Sequence, residues 1–150
     1  MAVGYLEVTR VLDDSRRGQA LSKKLQGIAQ KWQGQIAGVR AKLDQARDRL
    51  RKTGVAISGD TAFLNRRDIA LFEAEIRGLE ERMQIDINAN REHFRNQLLE
   101  EIHALAANIA EEANLEMLLL LSKEQVAYAA AGKNLTDVFL KRFDAKGPPP

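Results

Sequence analysis

Two stretches decide the fold: LSKKLQGIAQKWQGQIAGVRAKLDQARDRL (residues 21–50) and IALFEAEIRGLEERMQIDINANREHFRNQLLEEIHALAANI (residues 69–109). In the first, apolar residues recur at Leu21, Leu25, Ile28, Trp32, Ile36, Val39, Leu43, Ala46 and Leu50. In the second they recur at Ile69, Phe72, Ile76, Leu79, Met83, Ile87, Phe94, Leu98, Ile102, Leu105 and Ile109, with Asn90 taking the one polar step. The spacing is about 3.6 in both, the period of a nearly straight α-helix with one apolar stripe. Neither stripe can build a globular core by itself. The pattern predicts that the helices fold back and pair stripe to stripe as an antiparallel hairpin.

Outward from the stripes, Ser15 is a good N-cap for the first helix, which is expected to run to about Lys52. Residues 53–61 contain Gly54 and Gly59 and mark the tip, where Ser58 or Asp60 can cap the second helix. The second helix is expected to end near Asn114. Residues 2–8 have no helical period and read as a strand, followed by a helical turn or loop over 9–14. Residues 117–121 and 125–129 read as two further strands around a turn at 122–124. Asn134 with Asp137 resembles a capping box for a last helix, apolar at Leu135, Val138, Phe139 and Phe143.

The expected fold is therefore mainly α with a small β part: a helical hairpin arm (15–114) on a body formed by 1–14 and 115–145. Three short strands and one small helix cannot bury an apolar run such as Met117–Leu121 by themselves, and an open apolar edge invites pairing with another chain. Val3, Tyr5, Leu6, Val8, Met117, Leu118, Leu119, Leu120, Leu121, Val126, Tyr128, Leu135, Val138 and Phe139 are accordingly the candidate oligomerisation residues.

Two features of the arm go beyond the zipper. Leu71, Gly78, Ile85 and Ala89 lie about half a turn from the main stripe of the second helix, as scattered exposed residues or as a weaker stripe for intermittent apolar contact. On the first helix Gly27, Gly34, Ala37, Gly38 and Ala41 lie roughly opposite the stripe, which suits either close packing or a soft arm. Charge is also segregated. Arg47, Arg49, Arg51, Lys52, Arg66 and Arg67 cluster around the tip, whereas the return helix is rich in Glu and Asp. That pattern reads as solvation, or as a basic tip for an acidic client or an anionic membrane surface.

Composition excludes several classes. A net charge of +2 does not announce a nucleic-acid partner, and the absence of cysteine removes disulfides, thiol catalysis and thiolate metal sites. No stretch approaches the roughly 20 apolar residues of a membrane helix, and the opening residues lack the basic and apolar regions of a signal peptide. Glu100 and His103 have Glu-x-x-His spacing, but His93 follows Asn90, so the second half of a di-metal motif is missing. Gly132-Lys133 lacks the first glycine and the following Ser/Thr of a phosphate loop, Ala127 and Asn134 standing there instead. Asn134-Leu135-Thr136 is formally a glycosylation sequon. The residues point to no enzyme, no metal and no cofactor.

The ends of the chain carry a resemblance. The opening VGYLEVTRVL with Ser15 and Gly18-Gln19, and the segment MLLLLSKEQVAYAAAGKNLTDVFLKRF with Val126-Ala127-Tyr128 and Asn134-Leu135-Thr136, resemble the OmpH-like (Skp) family of periplasmic chaperones. Ser122 and Asn134 stand where that family often has Asp, and both keep turn or capping chemistry. The resemblance implies a jellyfish-shaped homotrimer in the periplasm. Its strands would form a central body, and its arms would hold unfolded outer-membrane β-barrel proteins without ATP. Leu71, Ile85 and Ala89 would then be candidates for the cavity lining, and the basic tips for contact with clients or an anionic membrane. Prefoldin fits less well, because its strands lie between its helices. A structural coiled-coil adaptor without client holding is the alternative.

Overall fold

A computed structural model of the chain describes residues 1–53 and 59–147. The order of elements is β1 (Val3–Glu7), α1 (Val8–Asp14), α2 (Arg16–Thr53), α3 (Gly59–Glu112), β2 (Met117–Leu121), a 3-10 turn (Lys123–Gln125) and α4 (Thr136–Ala145). The predicted tip at 53–61 lies largely outside the described residues, as does a Ser58 cap; α3 starts at Gly59 with Asp60 in its first turn.

The chain forms two compact units, Met1–Lys24 together with the residues from Arg91 on, and Leu25–Asn90. In the second unit, Ile36, Val39 and Leu43 of α2 and Ile76 of α3 are buried, with Ile69, Phe72, Leu79 and Met83 packed around them. Polar pairs follow the same alignment: Arg47 meets Glu73, Arg40 meets Glu80 and Trp32 meets Asp86. Numbering rises along one helix as it falls along the other, so the pairing is antiparallel. Each predicted stripe residue of the two helices is buried or half-buried.

The first unit holds the larger core. Leu6, Val11, Leu21, Leu98, Ile102, Leu105, Ala106, Ile109, Phe139 and Phe143 form one buried cluster. The rings of Phe139 and Phe143 stack 5.3 Å apart. β1 and β2 pair in parallel, from Val3 opposite Met117 to Glu7 opposite Leu121. On its other edge β1 is met by an irregular segment: Tyr5 N–H donates to the Lys133 carbonyl and Leu135 N–H to the Tyr5 carbonyl, both at 2.9 Å.

The helical turn expected over residues 9–14 forms, and it takes in Val8, which was expected to end the strand. Two further expectations need correction. Residues 125–129 are not a strand, because β2 has β1 as its neighbour and no described strand offers these residues a partner. Asn134 does not cap α4 through Asp137. Its Oδ1 accepts from the Thr136 N–H at 3.0 Å, while Asp137 accepts from Arg10 at 2.7 Å and so ties α4 to α1.

The entry to α2 explains its own sequence. Ser15 is fully buried, and its Oγ accepts the Gly18 N–H at 2.9 Å, satisfying one of the helix's free donors. A Cβ on Gly18 would fall 1.7 Å from the Leu12 carbonyl oxygen, so no other residue fits the α1–α2 corner without moving backbone. Two substitutions test this corner. Ser15→Ala is expected to destabilise the protein by about 1–2 kcal/mol through the orphaned amide. Gly18→Ala is expected to cost about 2–3 kcal/mol by overpacking. Urea unfolding followed by circular dichroism gives both values.

Candidate functional site

Alternation along β1 and β2 divides the predicted oligomerisation residues between two faces. One face points into the subunit. Leu6 is fully buried there, and Leu118 and Leu120 pack against the same core, as does Leu135. Phe139 is also fully buried, so neither it nor Leu6 has surface left for a second chain. Val8 is half-buried at the start of α1.

The opposite face is open. Met117 is 48% and Leu119 36% exposed, although both lie on a strand of five apolar residues. Val3, Tyr5, Leu119, Leu121, Val126 and Tyr128 help to line a groove of about 550 Å³ across this face. Tyr128 is 87% exposed, and Val138 of α4 is 54% exposed. Among the described residues β2 pairs with β1 alone, which leaves its other edge with unused backbone donors and acceptors. The structure thus brings together an apolar groove and an unpaired strand edge in one place.

On α3, Leu71 is 56% and Ile85 63% exposed, and Ala89 is exposed. The half-buried positions Ala62, Asn65, Ile69 and Phe72 continue the zipper stripe back toward the start of the helix. Phe63 and Leu64 fall outside it and are exposed at 66% and 51%. They are absent from the set expected from sequence. The signal was available, since Leu64, Leu71, Gly78 and Ile85 follow one another at a spacing of seven. With Leu64 added, the outer row runs along a little under half of α3, from Leu64 to Ala89. Sidechains at that spacing stay on nearly one face, drifting by roughly 20° per heptad.

Arg47 pairs with Glu73 across the two helices at 2.9 Å, and Arg51 with Asp48 one turn back at 2.6 Å. Part of the charge segregation along the chain is therefore cross-helix pairing, with each exposed pair contributing at most about 1 kcal/mol. Arg49, Lys52, Arg66 and Arg67 are exposed.

Chemistry-bearing side chains do not converge. No group of three or more His, Asp or Glu that could hold a metal occurs among the described residues, and Glu100 and His103 are both exposed. The ionisable groups with shifted equilibria form structural pairs. The hydrogen bond from Arg142 holds the Glu112 carboxyl below its usual range, and that carboxylate in turn raises Arg142. Arg10 is raised by its hydrogen bond to Asp137, helped by Glu7 and Asp14. Among the described residues no helix is long and apolar enough to cross a membrane.

Comparison with known proteins follows the same outline. A crystal structure from Caulobacter crescentus CB15, provisionally described as that of an outer membrane chaperone (OmpH-like), superposes with a TM-score of 0.78 at 19% sequence identity. The match covers 97% of this chain and 85% of the other. A search of curated proteins found no match. The family model for outer membrane protein (OmpH-like) matches residues 2–143. With nearly its whole length matched, the chain belongs to the OmpH-like family.

Proposed function

We propose that this protein is an ATP-independent holdase chaperone of the periplasm, which keeps unfolded outer-membrane β-barrel proteins from aggregating. The observation that carries this reading is the exposed apolar row on α3, Leu64, Leu71 and Ile85, on residues the helix zipper does not use. Single exposed apolar residues are ordinary. A regularly spaced row suits many weak contacts with an extended chain that has no fixed shape. Membership of the OmpH-like family supports a chaperone role, and no enzyme activity is proposed.

Holding a long client requires more surface than one hairpin offers. We infer a homotrimer in which residues 1–14 and 115–145 form the body and residues 15–114 the arm, three arms together enclosing the client. Support comes from the open face around Met117, Leu119 and Tyr128 and from the unpaired edge of β2. The irregular residues 125–129 would find in a neighbouring copy the strand partner they lack in their own. Ala89 and the basic residues Arg47, Arg49, Arg51, Lys52, Arg66 and Arg67 are proposed as further client contacts.

A contact with an anionic membrane surface is favoured by one specific arrangement. Phe63 and Leu64, both exposed, stand beside the exposed Arg66 and Arg67 at the start of α3. Apolar side chains that can enter the interface next to cations that can meet phosphates suit such a surface.

Three measurements test these readings. The double variant Leu71→Ser/Ile85→Ser is expected to lose most suppression of light scattering by a diluted, denatured β-barrel protein without nucleotide, while its solution mass stays unchanged; full suppression would remove the role of the row. Light scattering of the protein alone is expected to give three chains per particle. In the variant Met117→Asp/Tyr128→Asp it should give one, and a wild-type monomer would overturn the assembly. Co-sedimentation with vesicles of anionic lipid, but not of neutral lipid, is expected to fall in Phe63→Ser/Leu64→Ser.

A further inference from the structure

Along one side of the α2–α3 pair lies a groove of about 500 Å³, a volume in the range that takes small ligands. Its floor is the zipper itself, with buried Ile36 and half-buried Met83 reached from the side. The groove stays open because Ala37 and Ala41, one turn apart on α2, end at Cβ and stand exposed at its wall. The arginine, lysine and glutamine that fill most exposed positions of α2 favour helix nearly as well as alanine does. Helix formation therefore does not require alanine here.

The polar groups around the groove have a definite electrostatic order. Arg40 Nη2 meets Glu80 Oε1 across the helices at 3.4 Å, longer than an ordinary N–H···O bond. Both side chains are about half exposed, so the pair holds the guanidinium loosely. Asp44 lines the same groove one turn further along α2 and has no partner among the described residues. An aromatic ring has a negative face and a positive edge. A guanidinium over the face and a carboxylate at the edge therefore match it, and the carboxylate also accepts from the O–H of tyrosine or the N–H of tryptophan. The polarisable sulfur of Met83 suits a ring as well. An aliphatic side chain would use the floor and neither charge.

We propose that this groove seats a tyrosine or tryptophan side chain of an unfolded β-barrel strand. The proposal rests on the chaperone reading for its client, since strands of outer-membrane barrels carry aromatic residues at both membrane interfaces. It assigns aromatic recognition to Ala37, Arg40, Ala41 and Asp44, apart from the aliphatic row on α3. The test uses two labelled peptides of about ten residues, the length of a barrel strand, identical except for tyrosine or leucine near each end. Fluorescence anisotropy reads their binding to the full-length protein. The tyrosine peptide is expected to bind about tenfold more tightly than the leucine peptide. Ala37→Glu/Ala41→Lys lays an ion pair over the groove at unchanged net charge and at a helix-favouring spacing. It should abolish the preference and leave helicity by circular dichroism, solution mass and binding of the leucine peptide unchanged. Asp44→Asn should weaken binding of the tyrosine peptide about threefold. Equal wild-type affinity for the two peptides, binding of neither, or a preference that survives Ala37→Glu/Ala41→Lys would overturn the groove assignment. Suppression of light scattering by the same wild-type preparation would in those cases leave the chaperone reading standing. A tyrosine preference without such suppression would instead overturn the assignment of the client.

Discussion

A parallel strand pair cannot be closed by a tight turn, and the register that sets Val3 against Met117 obliges the intervening chain to leave the sheet and come back. In most proteins one helix makes that crossing. Here the short α1 is followed by two long ones, α2 of 38 residues and α3 of 54, roughly 57 and 81 Å of helix. The two-stranded sheet would be marginal alone. It is completed by the core to which Leu6, Ile102 and Phe139 contribute and by Thr136, whose buried Oγ1 accepts the Glu7 N–H. Sheet, helix corner and last helix therefore stand or fall together.

The same economy explains the division of labour along α3. Its later part, from Leu98 to Ile109, belongs to a core with several layers and is buried there. Among the described residues its earlier part packs against α2, and one helix can cover only one face of another. The uncovered faces carry ionic residues, as expected of solvated helix, and in the same stretch Leu64, Leu71 and Ile85 as well. Their exposure follows from the geometry of a two-helix pair. Their spacing does not.

Much of this was legible in the residues alone. Helical period identified both long helices and the zipper positions from Leu21 to Leu50 and from Ile69 to Ile109, because a stripe that must meet a partner leaves its spacing in the chain. Ser15 announced the start of α2, whereas the need for glycine at 18 rests on the Leu12 carbonyl, which only the folded corner brings near. What could not be read locally were features that depend on a neighbour. Residues 125–129 have strand composition, yet pairing decides whether they become a strand, and among the described residues none pairs with them as one. Asn134 was expected to cap through Asp137, but Arg10 claims that carboxylate from 127 residues away. Trp32 read as plain core, while its ring nitrogen finds Asp86. The open face of β2 was anticipated from its apolar run, whereas the burial of Leu6 and Phe139 within the subunit was not, since alternation gives two faces without saying which is covered from within.

The parallel register also dictates an order of events during biosynthesis. The first strand leaves the ribosome long before the segments it must pair with, and Glu7 waits for Thr136, 129 residues later, to receive its amide. Until Met117–Leu121 follows, β1 has no strand neighbour, while the intervening helices can already form from local contacts. Such a chain has high contact order at its ends and low contact order in its middle, and its ends are the last part to become native. A nascent copy thus passes through a stage in which it is itself an incompletely folded polypeptide with bare strand edges.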